Sequence, residues 1–109
     1  MTAEALAEAM GLTVFCPGRE REVTSGWCGD LLSKVMVIAP AGCAWLTVMT
    51  NVSVAAVAVL CDAACVILAQ GARPDEALLA RAQSEKIPLF GTDDDVFTAA
   101  ARLGKLLFG

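Results

Sequence analysis

Apolar residues in this chain fall into two alternating kinds of stretch. Leu12–Phe15, Ala44–Met49, Cys65–Ala69 and Ile87–Phe90 are short, mainly apolar stretches of strand length. Between them the apolar positions recur at three- and four-residue spacing, as on one face of a helix. The segment from Cys43 to Ala69, CAWLTVMTNVSVAAVAVLCDAACVILA, holds a strand, a helix opened by Asn51 and a second strand in 27 residues, the size of one βαβ unit. Strands that read as unbroken apolar runs belong to sheets covered on both faces. Helices alternating with such strands predict a layered α/β sandwich, with a mostly parallel sheet flanked by helices and right-handed crossovers.

The flanking segments fit this scheme. Thr2 caps a first helix with Leu6, Ala9 and Met10 as its stripe, and Gly11 stops it. CPGREREVTSGWCGD, from Cys16 to Asp30, reads as loop, with Pro17-Gly18 as a turn. From Asp30, Leu31, Leu32, Val35, Met36 and Ala39 recur at helical spacing until Pro40-Ala41-Gly42 turns the chain into the central strand. Pro74, with Asp75 and Glu76 in the first turn, opens a helix to about Glu85 that buries Leu78, Leu79 and Ala82. Pro88 near the start of the last strand predicts an edge position. Thr92 and Asp95 resemble a capping box for a final helix with Val96, Phe97, Ala100, Leu103 and Leu107 as its stripe. No linker or repeat divides the 109 residues, so one domain over 1–109 is expected.

Composition narrows the function classes. Apolar residues make up 57% of the chain and charged residues 18%, with net charge −4. So apolar a small domain implies a face covered by a partner, and Trp27 and Trp45 are the candidate interface residues. Lys and Arg are scattered singly, without the basic stripe that nucleic-acid binding needs. Cys43 to Cys61 is nineteen residues without a charge. Thr47, Thr50, Asn51 and Ser53 sit in its middle and no Lys or Arg flanks it, which argues against a membrane span. The acidic N-terminus has no secretory n-region. Five cysteines without a CxxC pair, and no histidine, read as reduced core thiols of a cytoplasmic protein, and no metal or cofactor is expected.

In open α/β sheets ligands bind beyond the carboxyl ends of the strands. Here those loops are Thr50-Asn51, Gly71–Arg73 and Gly91–Asp94. Thr50 and Asn51 at a helix N-terminus can hold an anion, although Asn51 also serves simply as a cap. Asp93, Asp94 and Asp95 suit the first turn of a helix better than a metal. No nucleophile has a histidine partner. Neither GxxxxGK[ST] nor GxGxxG is present, so a kinase or dinucleotide enzyme is not indicated.

The stretch from Arg21 to Ser33, REVTSGWCGDLLS, resembles the signature of DRTGG domains, in which an RxVTGG-like loop precedes a GDLLS helix start. The likeness continues through Ala44–Thr47, Val54–Leu60, Cys65–Leu68, Lys86–Leu89 and Ala101–Leu103. The resemblance implies a domain that regulates or assembles rather than catalyses. Relatives are accessory parts of HPr kinase/phosphorylase-like proteins, phosphate acetyltransferases and pyrophosphatases, or stand-alone bacterial chains. A serine-kinase label on such a chain would describe a neighbouring domain. Two departures stand out. Ser25 replaces a favoured glycine, which would restrict the loop backbone, and Met49–Ser53 replaces a more polar loop. The expectation is a non-catalytic domain that forms a homodimer and acts with a partner enzyme. The alternative is a nucleotide or anion sensor using Thr24, Ser25, Gly26, Asp30, Thr50, Asn51, Gly91 and Thr92.

Overall fold

A computed structural model describes residues 1–109. The elements in chain order are α1 (Ala3–Met10), β1 (Thr13–Cys16), β2 (Ser25–Cys28), α2 (Leu32–Ile38), β3 (Cys43–Thr47), α3 (Ser53–Leu60), β4 (Cys65–Leu68), α4 (Glu76–Glu85), β5 (Leu89–Gly91) and α5 (Val96–Phe108). They form one five-stranded sheet in the order β1-β5-β4-β3-β2. β2, β3, β4 and β5 run parallel, and β1 closes one edge antiparallel to β5. The predicted α/β sandwich with a mostly parallel sheet is the architecture found.

Two apolar layers enclose the sheet. On one face, Val35 of α2, Val54 and Val57 of α3, and Leu78 and Ala82 of α4 pack with Trp45, Val66 and Leu68. On the other, Leu6 and Met10 of α1 and Ala99 and Leu103 of α5 pack with Ala44, Leu46, Ile67 and Phe90. The side chains of β3, β4 and β5 are all buried. Double coverage is why these strands read as continuous apolar runs.

Several expectations change in the structure. A fifth strand, β2, lies inside the stretch read as loop. It sits at the outer edge beside β3, where Ser25 and Trp27 alternate with exposed Gly26 and Cys28. Four partly or fully exposed residues, one of them glycine, leave too short an apolar run to signal a strand. β5 is not an edge strand, because β1 pairs with its outer side and Pro88 precedes its first residue. In α2 only Val35 is buried; Met36 is exposed, and so is Leu31, which precedes the helix as its N-cap. Phe97, placed on the core stripe of α5, is 84% exposed. Trp45, expected at an interface, is fully buried at 0% exposure, and its indole N–H donates to the Gly29 carbonyl at 2.9 Å. It is a core residue, while Trp27 remains half-buried on β2.

The segment between β1 and β2 crosses beneath the sheet as a belt. Arg19 N–H donates to Lys86 O, and Thr24 N–H to Gly42 O. The Arg21 guanidinium donates to the carbonyls of Asp62 and Ala63 at 3.2 and 3.3 Å and pairs with the Asp62 carboxylate at 3.1 Å. The N-terminus joins the same belt: Ala3 N–H donates to Arg21 O, and Val23 N–H to Met1 O. Arg19, Arg21 and Thr24 thus tie the amino ends of the parallel strands together, and Glu22 holds the N-terminus through Met1, so the segment is more than a solvated loop.

Candidate functional site

The four β→α turns of the parallel strands meet along the carboxyl edge of the sheet. At the β2 end, Asp30 Oδ1 accepts from the Thr47 hydroxyl at 2.5 Å and from Val48 N–H at 3.0 Å. Thr47 Oγ1 in turn accepts from Met49 N–H at 3.3 Å. With the Trp45–Gly29 bond, this latches the Gly29-Asp30 turn onto the end of β3. Thr47 is the one buried polar residue of the core, and Asp30 supplies its partner. The conformation of this edge is therefore set by side chains of the β2–α2 turn and of β3.

At the β3 end, Asn51 Oδ1 accepts from Ser53 N–H at 2.9 Å. Its carbonyl accepts from Val54 N–H at 3.1 Å. The helix proper begins at Ser53 behind Val52, which makes no side-chain cap, so Asn51 caps from one residue further out than expected. Thr50 O accepts from Asp75 N–H, joining this turn to the start of α4.

The turns after β4 and β5 leave toward opposite faces, since α4 lies in one apolar layer and α5 in the other. Open α/β sheets have their ligand crevice at such a divergence. Here the crevice is bridged by backbone bonds: Gly71 N–H donates to Thr92 O, Gln70 N–H to Asp94 O, and Thr92 N–H to Leu68 O. Gln70 and Gly71 reach these bonds with φ of 62° and 70°. The notch that remains has a volume of about 20 Å³ and is lined in part by Phe15, Gly71, Arg73, Gly91 and Thr92. A Cβ on Gly91 would stand 2.5 Å from the Phe15 ring, so the glycine is what lets Phe15 close the notch. The Arg73 guanidinium lies over that ring, 6.0 Å from its centroid. Nothing in the sequence distinguishes this cation from the other scattered ones; only its place in a βα loop points to it.

The three aspartates act on the protein itself. Asp95 is the N-cap of α5, accepting from Thr98 N–H at 2.7 Å, and Thr92 accepts instead from Asp94 N–H. The predicted Thr92–Asp95 box thus resolves into two separate caps. Hydrogen bonds from the Thr98 amide and hydroxyl hold the Asp95 carboxyl below its usual range. Asp94 pairs with Arg102 at 2.5 Å, and Arg102 also donates to Met10 O at 2.7 Å. No three His, Cys, Asp or Glu side chains converge as a metal would require.

The remaining candidates lie elsewhere. Thr24, Ser25 and Gly26 are at the amino end of β2, and even Gly26, the nearest of them, is four residues along the chain from Asp30, roughly 13 Å at about 3.3 Å each. Asp30, Thr50, Asn51, Gly91 and Thr92 share the carboxyl edge, so the eight residues do not form one site. Ser25 is not among the positive-φ residues, so replacing glycine there imposes no backbone strain. Its buried hydroxyl has no hydrogen-bond partner. Gly26 serves packing: a Cβ there would lie 2.8 Å from Leu103 Cδ2.

The five thiols are all free, and only Cys28 is exposed. Burial pushes Cys43 and Cys65 up to about 12, and a neighbouring thiol adds to each shift, Cys61 for Cys43 and Cys43 for Cys65. Partial burial, then the charge of Asp30, raises Cys28. Thiols held protonated are poor nucleophiles and poor metal ligands. No helix is long and apolar enough to cross a membrane.

Comparison with known proteins gives the same architecture. The structure is similar to that of the CBS and DRTGG domains of the regulatory region of Clostridium perfringens pyrophosphatase, complexed with its activator diadenosine tetraphosphate. The TM-score is 0.70 at 11% identity, over 94% of this chain and 45% of that one. This chain thus spans less than half of the neighbour's length. No match was found among curated proteins. The DRTGG domain profile matches residues 32–106, more than half of the chain, and so takes in only the last two residues, Leu32 and Ser33, of the Arg21–Ser33 stretch that carries the signature-like motif. The chain belongs to the DRTGG domain family.

Proposed function

We propose that the chain is a non-catalytic regulatory module that self-associates and acts together with a partner enzyme. The observation that carries this reading is the outward face of the helices. Met36, Val37 and Ile38 on α2, and Phe97 and Phe108 on α5, are exposed large apolar side chains on a domain with a complete two-layer core. Apolar surface in patches, rather than singly, marks interaction sites. Trp27, half-buried at the β2 edge, stays a candidate for the same role. Light scattering across micromolar concentrations tests the reading. A mass of twice 11.3 kDa supports self-association, and a mass of 11.3 kDa throughout excludes it.

A second reading is a nucleotide or anion sensor. It is favoured by the diadenosine tetraphosphate that activates the similar pyrophosphatase regulatory region, and by Arg73 beside the crevice between β4 and β5. The notch of about 20 Å³ is far below the several hundred Å³ of a small-molecule pocket. A phosphate would therefore be met at the rim by Arg73, Thr92 and the Thr50-Asn51 turn. Thermal unfolding against adenine mono-, di- and dinucleotides tests this. Ligand at 100 times its dissociation constant adds about 2.7 kcal/mol. That stabilisation moves the midpoint by roughly 10 °C or more in a domain this size. A rise abolished by Arg73→Ala supports the sensor, and a flat panel removes it.

A further inference from the structure

The outward face of α5 carries a stripe that the monomer does not use. Phe97, Ala101, Gly104 and Phe108 succeed one another at spacings of four, three and four residues, which places them on a single face of the helix. The face buried against the sheet is carried by Ala99 and Leu103 instead. Phe97 and Phe108 are 84% and 72% exposed. Gly104 sits in the helix interior, where glycine is costly relative to alanine. Nothing lies within 4 Å of where its Cβ would be, so no contact in the monomer requires a glycine there. At Gly26, by contrast, a Cβ would press on Leu103 Cδ2 at 2.8 Å.

The spacing is palindromic. Against a second α5 running antiparallel about a two-fold axis, Phe97 falls opposite Phe108 of the second copy and Ala101 falls opposite Gly104. The two small residues at the centre permit close backbone approach, and an aromatic pair closes each end. An isologous two-fold contact needs this kind of self-complementary surface. The stripe holds no charged side chain, so two copies that each carry −4 can meet there without opposing like charges. Arg102 is turned aside by its bonds to Asp94 and Met10 O. Alongside runs an apolar groove of about 300 Å³ between α5 and the free edge of β2, lined by Trp27, Ala100, Leu103 and Leu107 among others.

We infer that the outer face of α5 is the homodimer contact, with two α5 helices packed antiparallel through Phe97, Ala101, Gly104 and Phe108. The inference rests on the self-association reading and gives it a surface. Light scattering at matched concentration on the full chain tests it with Phe97→Glu, Gly104→Leu and, as a control on α2, Val37→Glu. The expected result is a dimeric wild type, a dimeric Val37→Glu, and dimerisation weakened roughly 30-fold or more in both α5 variants. Circular dichroism should show folded chains throughout, because Phe97 is exposed and Gly104 has open space. A dimeric wild type whose α5 variants remain dimeric overturns the α5 assignment and leaves self-association standing. Loss of the dimer only in Val37→Glu moves the contact to α2 and overturns it too. A monomeric wild type overturns both the surface and the reading on which it rests.

Discussion

The hydroxyl of Thr47 donates to the Asp30 carboxylate across 2.5 Å, linking the last residue of β3 to the turn that leaves β2. The carboxylate also receives Val48 N–H, so one side chain satisfies two donors on the neighbouring strand. Asp30 is thereby a positioning residue for the carboxyl edge of the sheet. Asp30→Ala strands the nearly inaccessible Thr47 hydroxyl, and the expected loss is about 2 kcal/mol. Asp30→Asn keeps an acceptor and should lose about half as much. Urea unfolding of the two variants checks this, and stabilities equal to wild type would show that the latch contributes nothing.

Gly26 and Leu103 form a second coupled pair. Gly26→Ala places a methyl 2.8 Å from Leu103 Cδ2, the far end of a flexible side chain that must shift to make room, at a cost of about 1 kcal/mol. Leu103→Ala opens a cavity and costs about 2–5 kcal/mol alone. Because the two sites touch, the double variant should be more stable than the sum of the single losses. A double-mutant cycle with strict additivity would show that α5 does not press on β2 at this point.

The core thiols make stability fall on the alkaline side. In the folded chain Cys43 and Cys65 are raised from 9.0 to about 12, chiefly by burial. Their contribution is therefore complete below about pH 9, where both states are protonated. It is lost as pH rises from 9 toward 12, where only the unfolded chain gives up protons. The urea midpoint should fall between about pH 8 and pH 10.5. The Cys43→Ala, Cys65→Ala double variant should show a shallower fall, and an identical slope would contradict the assignment. A thiol reagent should modify Cys28 first in the native state and all five cysteines after denaturation.

Much of the architecture is legible in the sequence, for identifiable reasons. β3, β4 and β5 are buried on both faces, so their apolar runs stand out, and Gly11 announces a helix end by its chemistry; Pro74 does not open α4 as read, because Asp75 is the N-cap and the helix starts at Glu76. β2 stays hidden because an edge strand of four residues with Gly26 at its centre lacks both run length and alternation. The belt stays hidden because Arg19 and Arg21 bind carbonyls distant in sequence, which composition alone reads as solvated charge. Trp27 and Trp45 cannot be told apart by residue type. Only pairing with β2 and the Gly29 carbonyl puts Trp45 in the core. Loop type alone groups the candidate ligand residues, and topology assigns them to opposite ends of the sheet.

Self-association is tested most directly by the mass of the full chain in light scattering, from low to high micromolar concentration and without ligand. The predicted result is a species of twice 11.3 kDa that dissociates on dilution. A constant 11.3 kDa mass over the whole range would contradict it and leave the nucleotide-sensing reading to be tested through Arg73.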